Sequence, residues 1–159
     1  MSIPFEEARS LAERVVDVIS PLARRVEVAG SLRRNRDLVH DVDIVVIPIP
    51  MAFPNVIANE LIRELGAKII RSGPKILTVT FDGKQVDLYS ASDQDWGINL
   101  LRWTGSKEHN VKLCNRALSM GMRLAVSRGL EKDGKVIAAR TEEEIFAALK
   151  MPYIPPEER

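Results

Sequence analysis

Residues 29–46 read AGSLRRNRDLVHDVDIVV and contain the features that decide the fold. A glycine-serine turn at 30–31 is followed, after nine residues, by the pair Asp41 and Asp43. The β-branched and apolar run over 42–49 predicts a strand that is buried on both faces. Side chains two residues apart on a strand leave the same face, so both aspartates point to one side of the predicted sheet.

The two aspartates predict a cation site. Their Cα atoms should lie about 6.8 Å apart, twice the ~3.4 Å rise of a strand, so the carboxylates can share one hard cation or bracket two. Asp87, in a predicted strand over 84–89, is flanked by core-facing apolar residues and therefore points to the opposite face. If the two strands are neighbours, three carboxylates converge. The alternative is that each aspartate caps a strand end or faces solvent, and for Asp87 that alternative stays open.

A divalent cation would remove the repulsion within such a cluster. Without one, neighbouring carboxylates raise each other's pKa values. Oxygen-only ligands favour Mg²⁺ or Mn²⁺ over zinc.

The turn formed by Gly30 and Ser31 predicts a phosphate-binding element. Glycine lets the backbone approach a ligand closely, and a following helix presents free N–H groups. Ser31 adds a hydroxyl donor, while Arg33 and Arg34 add cationic forks for phosphate oxygens. A Gly-Ser pair alone is more often an ordinary turn. Together with Asp-x-Asp on the next strand, it indicates a site for a triphosphate and the metals that bridge it.

The rest of the chain alternates between helical and strand patterns, which predicts an α+β fold. Helices are predicted over 4–19 (with Ser2 as its cap), 32–36, 54–65, 95–103 and 107–120, and after a capping box at 141–144. Strands are predicted over 25–29, 42–49, 68–71, 75–81 and 84–89, with a small hairpin between 123–127 and 135–139 and an extended tail. This order indicates a larger mixed-sheet lobe over 1–90 and a smaller lobe over 91–159.

Composition limits the classes of protein to be considered. The chain has 159 residues, 45% hydrophobic, and a formal net charge of +1, which is typical of a globular protein and argues against a bulk electrostatic grip on nucleic acid. No apolar run approaches a membrane span, and the first residues lack a signal-peptide pattern. Cys114 is the single cysteine, which excludes an intramolecular disulfide and a multi-cysteine zinc site. We therefore expect a cytoplasmic protein without membrane contact.

One stretch departs from this neutrality. Residues 102–128 contain a single acidic residue, Glu108, against six basic ones: Arg102, Lys107, Lys112, Arg116, Arg123 and Arg128. The simplest interpretation is a solvated helix face. Combined with the site motifs, the stretch predicts contact with a phosphate backbone, of modest and salt-dependent affinity.

The motifs resemble those of the nucleotidyltransferase superfamily and, more narrowly, of the family X DNA polymerases, relatives of DNA polymerase beta. The resemblance rests on the block at 29–46, on RWTGSKEHN at 102–110 and on PYIPPEER at 152–159, and it covers about residues 24–159. It implies a nucleotidyltransferase palm, which is a mixed β-sheet with flanking helices, plus a small C-terminal α/β lobe that selects the nucleotide.

The resemblance also implies roles for individual residues. Asp41 and Asp43 would bind two Mg²⁺ (or Mn²⁺) ions per site, and Asp87 would bind the catalytic metal and help to deprotonate the primer 3′-hydroxyl. The nucleotide-binding residues would be Gly30, Ser31 and Arg34 on the phosphates, Trp103 and Gly105 beside the sugar, and Asn110 at the minor-groove edge of the base. The basic residues expected to contact DNA are Arg102, Lys107, Lys112 and Arg116.

Three departures from the family pattern qualify these expectations. The lyase and helix-hairpin-helix domains are expected to be absent, which predicts a weak, distributive grip on DNA. Cys114 stands in place of a template-contacting arginine, and Arg102 replaces an aromatic residue, so template checking is uncertain. The expected protein is a minimal, monomeric DNA polymerase that uses nucleoside triphosphates on primer-template or gapped DNA. The alternatives are a nucleotidyltransferase with another acceptor (RNA, small molecule or protein) and a non-catalytic DNA-end-binding module.

Overall fold

The computed structural model describes residues 2–159 and contains six α-helices and ten strands within that range. The helices are α1 (Phe5–Ile19), α2 (Gly30–Arg33), α3 (Asn55–Leu65), α4 (Trp96–Thr104), α5 (Lys107–Ser119) and α6 (Glu142–Ala148). The strands are β1 (Ile3–Pro4), β2 (Ala23–Val28), β3 (Leu38–Val39), β4 (Val42–Pro48), β5 (Lys68–Ser72), β6 (Ile76–Phe81), β7 (Lys84–Ser90), β8 (Arg123–Ala125), β9 (Gly129–Lys132) and β10 (Lys135–Ala138). Short 3₁₀ turns cover Ser20–Leu22 and Pro156–Glu158.

The larger lobe is built on a five-stranded mixed sheet in the order β2-β4-β7-β6-β5. β4 and β7 run parallel, and the other neighbours in this sheet run antiparallel. Alternate residues of β4, such as Val42 and Ile44, join the apolar faces of α1 and α3 in one core. Val45 and Ile47 leave the opposite face and pack with Trp96 and Leu100 of α4. The aspartates of β4 and β7 also belong to this second face.

The smaller lobe packs α4, α5 and α6 with a three-stranded antiparallel sheet in the order β10-β9-β8. Its core contains the fully buried side chains of Leu113, Leu130 and Phe146. None of the helices within residues 2–159 has the length and hydropathy that a bilayer crossing requires.

The predicted α+β class is confirmed, and most predicted elements lie within two or three residues of the observed ones. Gly66 has φ 68° and ends α3 in the left-handed conformation. Asp82 and Gly83, with φ 51° and 77°, form the predicted tight turn between β6 and β7. Thr141 and Glu144 form the predicted capping box. The lobe boundary at residue 90 stays a prediction.

Three local predictions are wrong. The predicted hairpin between 123–127 and 135–139 does not form, because both segments pair instead with Gly129–Lys132, the central strand, whose glycine and charges hid its β pattern. Ser2 does not cap α1, because Ile3–Pro4 pairs as a strand with Leu38–Val39. The tail is not fully extended, since a 3₁₀ turn forms near its end.

Candidate active site

Asp43 and Asp87 are direct neighbours in the central sheet. The parallel register of β4 and β7 places their Cα atoms opposite each other, and Asp41 lies just before β4. Asp43 Oδ1 accepts a hydrogen bond of 2.9 Å from the Tyr89 hydroxyl. Asp87 accepts one of 2.6 Å from Thr78 Oγ1 on β6 and a second, at 3.1 Å, from Gln85 Nε2. The condition stated for Asp87, that its strand neighbours the strand of Asp43, is therefore met.

The surroundings of Asp41 and Asp43 are unfavourable for full ionisation. Burial raises the pKa of Asp43 to about 7, and repulsion from Asp87 and Asp41 adds to the shift although the Tyr89 hydrogen bond opposes it. The pKa of Asp41 is also raised, first by burial and then by Asp87. The protein supplies too little positive charge here to compensate the three acids.

The donor chemistry fits a hard divalent cation, since the groups are oxygen-only carboxylates and burial, reinforced by neighbouring acids, raises the pKa of Asp41 and Asp43. The side chains are not gathered into a ready cage, however. Within residues 2–159, no three histidine, cysteine, aspartate or glutamate side chains form a group that could hold a metal ion. Asp43 and Asp87 instead accept hydrogen bonds from different residues. The three-aspartate metal site stays a prediction.

The glycine-serine turn lies directly against Asp43. Gly30 has φ 62°, and a Cβ on it would overlap the carboxylate of Asp43, so both conformation and space require glycine. Ser31 is partly exposed beside it. The turn and the carboxylate pair, which are ten or more residues apart in sequence, thus form one continuous surface.

The two arginines after the turn have different environments. Arg34 Nη1 donates to the carbonyl of Thr104 at 2.6 Å, and its buried Nε has no hydrogen-bond partner within the described chain. Burial, followed by repulsion from Arg36, lowers the pKa of Arg34. Arg34 is therefore a partly buried cation within electrostatic range of Asp43, without a carboxylate partner of its own.

Arg33 is not available as a second phosphate fork, which corrects the prediction. Its guanidinium donates to both carboxylate oxygens of Glu142, at 2.8 and 3.0 Å, and to Thr104 Oγ1. Arg159, whose side chain is fully buried, pairs with the same carboxylate. We call these three residues the Glu142 cluster. It joins the glycine-serine turn of the larger lobe to α6 and the tail.

The predicted nucleotide-selecting residues surround the turn between α4 and α5. Trp103 stacks on Tyr89 with ring centroids 3.7 Å apart and an interplanar angle of 9°. Gly105, at φ 68°, lies against Arg34, and its peptide bond with Ser106 is cis. Asn110 Nδ2 donates to the carbonyl of Arg102 at 3.1 Å. The structure thus brings Gly105 and Arg34 into contact and links Trp103 to Asp43 through Tyr89.

The four predicted DNA contacts lie at the end of α4 and along α5. Lys107, Lys112 and Arg116 are exposed, and Arg116 also donates to the carbonyl of Leu149 at 3.1 Å. The guanidinium of Arg102 lies 4.2 Å from the centre of the Trp103 ring. Contact with DNA stays a prediction for all four.

Several residues of the site were not identified from sequence. Gln85 and Tyr89 flank Asp87 at a spacing of two, so strand periodicity could have placed them on its face. Thr78 is the cross-strand partner of Asp87, which only the β6–β7 register reveals. Glu142 and Arg159 carry no local signal, because Glu142 pairs with Arg33, 109 residues away, and Arg159 joins the cluster only through Glu142. His109, for which the sequence favours a surface or a hydrogen-bonding role, is buried and hydrogen-bonds to Asn110.

Comparison with known proteins agrees with this geometry. The family profile named DNA polymerase beta thumb matches residues 99–159. The chain is 29% identical to DNA polymerase/3'-5' exonuclease PolX of Bacillus subtilis, over 98% of this chain and 28% of that protein. It is 24% identical to Repair DNA polymerase X of African swine fever virus, over 89% of this chain and 85% of the viral protein.

A solved structure shows the same fold. Leishmania infantum polymerase beta, in a ternary P/T complex, superposes with a TM-score of 0.84 at 20% identity, over 100% of this chain and 77% of that one. The match extends through both lobes. The chain nonetheless spans only 28% of the length of the Bacillus subtilis relative.

Proposed function

We propose that the chain is a family X DNA polymerase-like protein and that it adds deoxynucleotides to a primer 3′-hydroxyl with release of pyrophosphate, in short-gap DNA repair. The observation that carries this proposal is the in-register pair of Asp43 and Asp87 across the parallel β4–β7 junction. The two adjacent carboxylates, the raised pKa of Asp43 and the contact of Asp43 with the glycine-serine turn suit two-metal nucleotidyl transfer.

Asp41, Asp43 and Asp87 are the residues that would hold two Mg²⁺ or Mn²⁺ ions. When bound, such ions stabilise the charge that develops on the transferred phosphate and lower the pKa of the attacking hydroxyl. Thr78 and Gln85 fix the carboxylate of Asp87, and Tyr89 fixes that of Asp43. These hydrogen bonds orient the acids before a substrate arrives, which reduces the reorganisation needed during reaction.

The remaining residues would position the nucleotide. Ser31 and Arg34 would contact the β- and γ-phosphates, with Gly30 giving the backbone close access. Arg34 is suited to this because its Nε is unpartnered within the described residues, and its Nη1 already ties it to the α4–α5 turn. Trp103 and Gly105 would flank the sugar, and Asn110 would reach the minor-groove edge of the base.

Gapped or primer-template DNA would be the second substrate, bound by a monomer in the cytoplasm. Lys107, Lys112 and Arg116 are exposed along one helix and would contact backbone phosphates, while Arg102 lies at the end of the preceding helix. Each phosphate contact releases counterions, so the affinity for DNA would fall steeply with salt.

Primer extension on a one-nucleotide gap tests this function. Each dNTP and each rNTP is supplied separately with Mg²⁺ or Mn²⁺, and the wild type is expected to insert the deoxynucleotide complementary to the template. Asp87→Asn should reduce the rate by at least roughly a hundredfold. Asp17→Asn makes the same chemical change at an exposed position of α1 and should leave the rate unchanged.

Two outcomes would contradict the proposal. Insertion that is equal for every template base, or that needs no template, would indicate a nucleotidyltransferase with another acceptor. A wild-type rate equal to that of Asp87→Asn would indicate a non-catalytic module that binds DNA ends.

A further inference from the structure

Two stacked aromatic rings and a guanidinium lie together where the two lobes meet. The Tyr89 ring of β7 covers the Trp103 ring of α4 at 3.7 Å, nearly parallel to it. The guanidinium carbon of Arg102 lies 4.2 Å from the centre of the same indole. Because the Tyr89 ring fills one face of the indole at van der Waals distance, the guanidinium must occupy the other face. We call this stack the Arg102 column.

The column is held at both ends by hydrogen bonds from its neighbours. The Tyr89 hydroxyl donates to Asp43 at 2.9 Å, which fixes the first ring. The backbone carbonyl of Arg102 accepts from Asn110 Nδ2 at 3.1 Å, which fixes the end of α4. The backbone of this arginine is anchored and its guanidinium already lies against the indole. The side chain therefore retains little conformational freedom that ligand binding would still have to remove.

The Arg102 guanidinium is otherwise uncommitted. Within residues 2–159, its N–H groups make no hydrogen bond or ion pair, and the side chain is partly exposed. It borders a cavity of about 150 Å³ whose polar lining includes Lys75, Ser90, Asn99 and Ser127. Such a cavity suits the edge of a planar, hydrogen-bonding ligand better than an apolar one.

We propose that the Arg102 column is a stacking platform for an unpaired nucleobase. Arginine guanidinium planes and aromatic rings are the surfaces on which proteins stack unpaired bases, and each such contact is sequence-tolerant. The platform rests on the proposed function for its source of nucleobases, which are either a single-stranded DNA segment or a free nucleotide. It differs from an ordinary arginine-phosphate contact because the flat face of the Arg102 guanidinium, and not only its charge, would contact the ligand.

The test compares two DNAs with equal numbers of phosphates. One is a primer-template whose unpaired three-nucleotide overhang carries bases, and the other has abasic sites in that overhang. Binding is measured by fluorescence anisotropy without divalent ions. The wild type should bind the base-containing DNA roughly tenfold more tightly. Arg102→Lys keeps the charge but loses the plane, so it should bind both DNAs alike. Arg14→Lys, at an exposed position of α1, is the matched control and should keep the wild-type ratio.

Competition with dATP and with ribose triphosphate, which lacks the base, identifies the source of the nucleobase. If the strand is the source, neither compound changes the ratio between the two DNAs. If dATP alone abolishes that ratio, the platform also accepts a free nucleotide, which still supports a nucleobase site. An equal affinity of the wild type for the two DNAs, or a wild-type ratio in Arg102→Lys, would overturn the inference.

Parallel primer extension keeps this result separate from the proposed function. A wild type that extends primers but shows no base-dependent binding refutes the platform and leaves the polymerase proposal intact. A wild type that fails to extend, while Arg102→Lys abolishes its base-dependent binding, refutes the polymerase proposal and retains the platform.

Discussion

Two clusters of buried charge lie on either side of the glycine-serine turn, and they differ in how far positive charge compensates negative charge. At the Glu142 cluster, two arginines surround one carboxylate. Burial there works to raise the pKa of Glu142, but hydrogen bonds from Arg33 and Arg159 outweigh it and lower that pKa. At the aspartate site, burial raises the pKa of Asp43 to about 7, and no comparable cation compensates it. The first cluster is electrostatically complete, whereas the second has a deficit of positive charge that a ligand can fill.

Breaking the complete cluster should have the largest effect on stability. Glu142→Gln leaves two buried arginines without their counter-charge, and we expect a loss of about 3–5 kcal/mol in the free energy of unfolding, measured by urea denaturation. Glu143→Gln, at the exposed neighbouring position, should change it by less than about 0.5 kcal/mol. Equal effects of the two substitutions would show that the Glu142 cluster does not hold the lobes together.

Neutralising the incomplete site should have the opposite sign. The folded-state pKa of Asp43, about 7, lies above its ordinary value of 3.8, so its contribution to stability is complete below pH 3.8 and is lost as the pH rises through about 7. Asp43→Asn should therefore match the wild type near pH 4 and be more stable by up to about 4 kcal/mol at pH 8. Urea denaturation in EDTA at several pH values measures this difference. A difference that stays constant with pH would contradict the assigned charge deficit.

A smaller effect is expected from the hydroxyl that partly relieves the deficit. Tyr89→Phe keeps the ring on Trp103 but removes the hydrogen bond to Asp43, so the pKa of Asp43 should rise further and stability at pH 8 should fall by about 1 kcal/mol. Tyr153→Phe removes a 3.5 Å contact with Glu142 in the complete cluster and should cost less. A larger loss from Tyr153→Phe would reverse the comparison between the clusters.

The sequence was sufficient to place the aspartates on one face of the sheet but not to reveal the Glu142 cluster, and the reason is the distance in sequence over which each is assembled. Asp41 and Asp43 share a face through strand periodicity alone, and a single neighbouring-strand assumption adds Asp87. The Arg33–Glu142 pair depends on how α6 docks against α2, which no local pattern encodes. Arg33 and Arg34 are chemically identical neighbours, so only the tertiary contacts show that the first is paired with a buried carboxylate and the second is not.

The same limit applies to the fold. The buried strand β4 and the helices α1 and α3 follow from periodicity and caps that lie within each element. The strand Gly129–Lys132 was missed because its β character comes from pairing with both neighbours, and its own residues include a glycine and two charges. The pairing of β1 with β3 spans two residues on each side and has no detectable pattern.

The overlap between a Cβ at Gly30 and the carboxylate of Asp43 has a consequence for anyone who varies this chain. The glycine-serine turn and β4 are in van der Waals contact at that point. Substitutions at positions 30 and 43 are therefore expected to be strongly epistatic. A mutational library that changes either position alone would find that both positions tolerate no substitution. It would suggest two independent constraints, although the two residues share one steric constraint. Combinatorial variation of the pair, in which a smaller side chain at 43 accompanies alanine at 30, would separate the steric requirement from the chemical one.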